Sequence, residues 1–126
     1  MTAKPRILLT GAAGRVGTAL WRGWEAQDRF DLTLTDRRPI EGARSPSEIG
    51  EIGDYAFVEK ICADHDTLIH LAYRGPANVG QDTLEFTDIG LSMRLFHCAC
   101  AAGIEKIVLA STNHVTGWNE HLSDPP

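Results

Sequence analysis

The stretch Thr10-Gly11-Ala12-Ala13-Gly14-Arg15-Val16-Gly17 follows the apolar run Ile7-Leu8-Leu9 and passes into an amphipathic segment. That pattern is a strand, a tight turn and a helix. Such a turn presents unpaired backbone N–H groups at the positive end of a helix, and glycine at 11 and 14 removes the Cβ atoms that would hold a pyrophosphate away. Gly17, one turn into the helix, lets the helix pack closely on the strand. Small residues also gather in ordinary turns, so the spacing gains weight only with a partner. Asp36 supplies one: it lies 19 residues beyond Gly17, at the end of the next strand pattern, where a carboxylate can accept both hydroxyls of an adenosine ribose. This placement favours NAD. A 2′-phosphate beside Asp36 meets like charge that Arg37 and Arg38 only soften, so NADP is the less favoured cofactor. The alternative reading of Asp36 is a solvated strand end.

The elements that must position these groups follow in order. Val16, Ala19, Leu20 and Gly23 recur at spacings of three and four, with Trp21 and Trp24 widening the apolar face, which predicts a helix to Gln27. Residues 30–36 alternate apolar with polar and form a second strand, so the unit is a right-handed βαβ crossover. A loop over 39–47 precedes a short strand at 48–54 and a helix at 55–63. Residues 67–72 are a continuous apolar run, as in a strand covered on both faces, and 75–80 are loop. The longest helical pattern spans 82–102, with Leu84, Ile89, Met93, Leu95, Phe96, Cys100 and Ala101 inward and Gly103 as its stop. Residues 104–111 read as another buried strand, and 112–126 as irregular. The sum is an α/β chain with a doubly wound parallel sheet of about five strands in the order 3-2-1-4-5.

The 126 residues suffice for one domain, and 43% hydrophobic with 23% charged residues excludes a disordered or fibrous chain. A net charge of −5 without a basic stripe argues against a nucleic-acid partner. Cys62, Cys98 and Cys100 lack CxxC spacing, so they read as reduced, small buried hydrophobes on helices; no metal site is expected. Neither a signal-peptide core nor a bilayer-length apolar span occurs, which places the protein in the cytoplasm with no membrane partner.

Four segments carry a resemblance. Residues 10–17 match TGxxGxxG, Gly53-Asp54 is similar to an adenine-side Gly-Asp, and His70-Leu71-Ala72 is similar to an HLAA strand end. Ser111-Thr112-Asn113-His114-Val115-Thr116-Gly117 sits at the place of SSxxVYG. On these the chain resembles the extended short-chain dehydrogenase/reductases, also called NAD-dependent epimerase/dehydratases, which have a Rossmann-like fold. The resemblance implies that Gly11, Gly14, Arg15 and Val16 hold the pyrophosphate, with Gly17 completing the motif. Asp36 and Arg37 would take the adenosine ribose, Asp54 and Tyr55 the adenine, and Leu71, Ala72 and Tyr73 the nicotinamide ribose side. Thr112 aligns with the hydroxyl that binds the reacting oxygen, and Ser111, Asn113 and His114 would face substrate. The Asn-His form is most similar to uronate dehydrogenases, which oxidise hexuronic acids at C1. Without the family, residues 111–114 read as a polar strand-end turn.

Two departures bear on activity. Asp88-Ile89-Gly90 stands where the family carries an Asn in NxxG. The family also acts through Tyr-x-x-x-Lys, in which the lysine lowers the tyrosine pKa so that the phenolate takes a proton as hydride leaves. Here Tyr55 is followed by Glu59 and Tyr73 by Ala77. The expectation is a single dinucleotide-binding domain over residues 1–126, the amino-terminal portion of an oxidoreductase without catalytic helix or substrate domain, and with little activity by itself. The alternatives are a stand-alone NAD-binding regulatory module and a sugar epimerase or dehydratase relative; Thr116 at the VYG tyrosine disfavours the last. An uncovered strand at 106–111 and an uncovered long helix predict a homo-oligomer.

Overall fold

The computed structural model describes residues 3–73 and 81–111, and of 81–87 the backbone only. The elements are β1 (Arg6–Thr10), α1 (Arg15–Gln27), β2 (Asp31–Asp36), β3 (Ser47–Ile49), α2 (Tyr55–Cys62), β4 (Thr67–His70), α3 (Gln81–Ala101) and β5 (Lys106–Leu109). The five strands form one parallel sheet in the order β3-β2-β1-β4-β5. This is the expected doubly wound arrangement, with β1 central. The chain first winds outward from β1 through β2 to β3, then crosses back to β4 beside β1, so the winding direction reverses between β1 and β4.

Strand alternation sorts the side chains into two cores. Ile7 and Leu9 of β1 join Leu32 and Leu34 of β2 under Trp21 of α1. On the opposite face Leu8 and Leu68 meet Val58, Ile61 and Cys62 of α2 and Leu95, Cys98 and Ala99 of α3. A strand covered on both faces needs apolar residues throughout, which is why β1 shows no polar alternation until Thr10.

The helices differ from the sequence expectation in which face they bury. In α1 the inward line is Gly17, Trp21 and Trp24, whereas Val16, Ala19 and Gly23 are not buried. In α3 Leu95, Cys98 and Ala99 are buried and Phe96 partly so, while Ile89 and Met93 are 58% and 61% exposed and Cys100 and Ala101 face solvent. Apolar residues surround α3, so periodicity could not select a face. The choice is made by α2 and the sheet. Cys62 and Cys98 are buried as expected and Cys100 is not. β5 is the edge strand, as the order 3-2-1-4-5 and the uncovered strand at 106–111 lead one to expect: Val108 and Leu109 are 45% and 56% exposed, because nothing described lies beyond it.

The β2–β3 loop is tied to α1 by one carboxylate. Glu25 accepts hydrogen bonds from the Arg44 and Ser45 amides at 2.9 and 2.7 Å and from the Ser45 hydroxyl at 2.6 Å. Burial pushes its pKa up, but the Ser45 and Arg44 hydrogen bonds outweigh that and hold it below the ordinary value. A group depressed in the folded state contributes stability that is present above its unfolded pKa and lost as pH falls toward the folded one. Glu25→Gln should therefore lower the urea midpoint near pH 7 and flatten its decline on acidification through the carboxylate range. An unchanged decline in urea titrations across that range would show that Glu25 does not contribute to it.

Candidate functional site at the strand switch

Thr10, Thr35 and His70 lie at the carboxyl ends of β1, β2 and β4, and all three are buried. Beyond this polar rung, at the carboxyl end of the sheet, the β1–α1 turn and the β4 exit together line a cleft of about 110 Å³ that opens to solvent. A crevice outside the carboxyl ends of parallel strands, at the point where winding reverses, is where open α/β sheets bind ligands.

Three glycines build the turn, each for a different reason. Gly11 has φ +73° and passes so close to β4 that a Cβ would lie 2.7 Å from the Ala72 nitrogen and the Leu71 carbonyl carbon. Gly17 is pressed under the turn: a Cβ there would lie 2.3 Å from the Gly11 oxygen. Gly14 has an ordinary extended backbone, φ −77° and ψ 173°, and a Cβ would meet only the Gly11 oxygen, at 3.3 Å. The fold therefore requires glycine at 11 and 17. At 14 the space left open belongs to the cleft, which Gly14 lines.

The turn is held from behind and from the side. The Ala12 carbonyl accepts from the Thr18 hydroxyl at 3.2 Å and from the Trp21 indole at 3.0 Å. The Ala13 amide donates to Asp36 Oδ2 at 3.0 Å, and Asp36 Oδ1 accepts from the Arg38 amide at 3.0 Å, with the Arg38 guanidinium 3.6 Å away. With its side chain only 8% exposed, Asp36 is a fixed acceptor at the cleft wall. No side chain caps α1 at Gly14, so its first-turn N–H groups and the positive end of its dipole remain open to an anion.

The structure brings together Gly11, Gly14, Asp36, Arg37, Leu71, Ala72 and Tyr73 as cleft-lining residues. Arg15 and Val16 are exposed on the first turn of α1, and Gly17 is buried beneath it. Asp54 and Tyr55 do not line the cleft. Asp54 caps α2, accepting from the Phe57 amide at 3.3 Å, and Tyr55 stands half-exposed on that helix. That wall is made instead by Gly50, Glu51, Ile52 and Phe57, whose ring fills the space a Cβ at Gly50 would need. Sequence reading misses these four residues; the nearest signal is the β3-turn pattern ending at Gly53-Asp54. Ser111 lies just past β5, exposed, and Thr112, Asn113 and His114 fall outside the described residues. Among the described residues no cluster of His, Cys, Asp or Glu could hold a metal ion, and no helix is long and apolar enough to cross a membrane.

A doubly wound parallel sheet with a glycine turn, an open helix end and a fixed carboxylate on the next strand defines a Rossmann-like protein. The chain belongs to the NAD dependent epimerase/dehydratase family, whose model matches residues 7–125. It is 29% identical over 95% of its length to the NAD-dependent glucose-6-phosphate dehydrogenase of Haloferax volcanii, covering 48% of that protein. To the L-arabinose 1-dehydrogenase (NAD(P)(+)) of the same organism it is 34% identical over 87% of its length, covering 42% of that protein. Among solved structures, 89% of the chain superimposes on 42% of a uronate dehydrogenase from Agrobacterium tumefaciens complexed with NAD, with a TM-score of 0.73 and 29% identity. The chain thus spans about half the length of the curated relatives it matches.

Gly17→Ala should lower folding stability by roughly 1–3 kcal/mol or more through overpacking, whereas Gly14→Ala should change it by less than about 1 kcal/mol. Urea unfolding of the two variants side by side checks this, and equal losses would refute the division of labour among the glycines.

Proposed function

We propose that residues 1–126 form a single dinucleotide-binding domain, the NAD-binding portion of an oxidoreductase that acts on a sugar. The observation that carries this reading is Gly14. A Cβ there would meet only the Gly11 oxygen, at 3.3 Å, and the space beyond it belongs to the cleft at an uncapped helix end. The residues present fit the group: Gly14 and the first turn of α1 suit the pyrophosphate, and Asp36 can accept ribose hydroxyls with lone pairs its present partners leave over. Ile52 and Phe57 offer an apolar wall to a base, and Leu71, Ala72 and Tyr73 line the opposite side. When bound, NAD supplies a hydride acceptor.

Because Asp36 is fixed at the wall, NAD should bind more tightly than NADP, and Arg38 is already engaged with that carboxylate. The substrate class within this reading is a sugar acid oxidised at C1, gripped by Ser111, Thr112, Asn113 and His114. Two things support it: the Asn-His motif and the likeness to a uronate dehydrogenase. With no Tyr-x-x-x-Lys pair in the sequence, turnover by this chain alone should be slight. The same reading includes self-association, favoured by the exposed Ile89 and Met93 on α3 and Val108 and Leu109 on β5.

Calorimetric titration should give saturable NAD binding and a weaker NADP isotherm, with Gly14→Ala losing roughly tenfold or more in NAD affinity while remaining folded. Absence of heat with millimolar NAD would overturn the reading. With NAD and glucuronate or galacturonate, NADH absorbance should stay near background; robust turnover would sink the low-activity part and direct attention to another base such as His114. Sedimentation should show a dimer or larger species at tens of micromolar, and a monomer there would remove the self-association.

A further inference from the structure

Between the glycine turn and the β4 exit lies a buried hydrogen-bonded chain that the cofactor reading does not use. Thr10 Oγ1 lies 3.2 Å from both the Leu71 and the Ala72 amide nitrogens, 2.7 Å from His70 Nδ1, and on the far side of the ring His70 Nε2 lies 2.9 Å from Ser92 Oγ of α3. The Ala72 amide donates to the Thr10 hydroxyl oxygen and the Leu71 amide divides its one hydrogen between that oxygen and the Thr10 carbonyl, so the arrangement that serves every donor turns the hydroxyl proton to His70 Nδ1. Nδ1 is then the bare nitrogen, Nε2 carries the hydrogen, and that hydrogen goes to Ser92. Burial pushes the His70 pKa down against the opposing pull of Asp88 on α3, which agrees with a neutral ring. Phe96 closes the site edge-on, its ring centroid 5.6 Å from that of His70.

We propose that His70 is a positioning residue of the cleft: as the Nε2–H tautomer it holds the Thr10 hydroxyl turned so that both lone pairs face the β4 exit, which locks Leu71 and Ala72 against Gly11. Leu71 also bonds the Thr10 carbonyl at 3.2 Å, but Ala72 lies past the last ladder rung and is held by the hydroxyl. Leu71, Ala72 and Gly11 line the cleft side by side in close contact, so this single oxygen fixes the β4 part of that lining. Ser92 anchors the ring to α3, which places the long helix in mechanical contact with the cleft through one side chain. Loss of the lock frees the Ala72 N–H and lets the wall move by the clearance that Gly11 alone now defines. The role in ligand affinity rests on the dinucleotide reading; the tautomer and the lock do not.

Side-chain nitrogen NMR of the wild-type chain without cofactor tests the tautomer. A pyridine-like Nδ1 with a protonated Nε2 is expected, and the Nδ1–H tautomer would overturn the proposal. Hydrogen exchange at Ala72 tests the lock: protection is expected in wild type and Thr10→Ser, and its loss in Thr10→Val and His70→Leu; rapid exchange in wild type would sink it. His70→Asn, which puts an amide oxygen near the place of Nδ1, should restore protection. For affinity, Thr10→Val and His70→Leu should weaken NAD roughly tenfold, and Thr10→Ser and His70→Asn by no more than about threefold. If the first pair unfold more easily yet bind NAD as wild type does, His70 is merely structural and the proposal fails. Should wild type not bind NAD at all, the dinucleotide reading falls, while the tautomer and exchange results still decide the lock. If Thr10→Val or His70→Leu does not fold, the wild-type tautomer, the wild-type exchange and the two conservative variants decide it.

Discussion

The close passage of the Gly11 backbone against the Leu71–Ala72 peptide is the contact on which the rest of the cleft depends. A Cβ on residue 11 would lie 2.7 Å from that peptide, so no side chain fits between β1 and β4 at that level, and the positive φ of Gly11 turns the chain away from the sheet immediately afterward. The turn then has one place to go, over the amino end of α1, where Gly17 lets the helix come up against the Gly11 carbonyl. Strand, turn and helix are therefore locked by backbone-to-backbone contact, which tolerates less adjustment than side-chain packing.

Polar groups complete what sterics begin. A turn at a sheet's carboxyl end leaves backbone donors and acceptors without ladder partners, and each needs another one. Here Ala12 finds Thr18 and Trp21, Ala13 finds Asp36, and Ala72 finds Thr10. These bonds tie α1 and β2 to the glycine turn and the β4 exit to β1. Asp36 serves twice: it braces the turn and stands ready at the wall. The second cleft, at the amino ends of the strands around Arg6, Glu25 and Asp28, has its charges largely matched by neighbours such as Asp66, Arg44 and Lys4. It lies at the end of a parallel sheet that ligands seldom use.

The strand order, the βαβ unit and the pairing of the glycine turn with Asp36 are legible in the sequence because they depend on short-range pattern: runs of apolar residues, glycines at fixed offsets, and a carboxylate at a strand end. The buried face of α3 is not, since Ile89, Met93, Leu95 and Phe96 give it apolar residues on several sides and only its neighbours choose among them. The same limit applies to the cleft wall. Gly53-Asp54 reads as the ligand-facing part, yet Asp54 spends its carboxylate on the α2 cap, and Phe57, one turn along, reaches the cleft.

From the sequence alone come the elements, their order and the residue types that could form a dinucleotide cradle, because backbone propensity and periodicity are local properties. The glycine motif is equally visible there, but not the reason for each glycine. Only the folded chain separates Gly11 and Gly17, which the backbone crossing requires, from Gly14, which lines the cleft. Only it joins Thr10 to His70, sixty residues apart, and His70 to Ser92 on α3. A hydrogen bond depends on position to within a few tenths of an ångström, and that position is set by the sum of packing in two cores. No spacing along the chain records it.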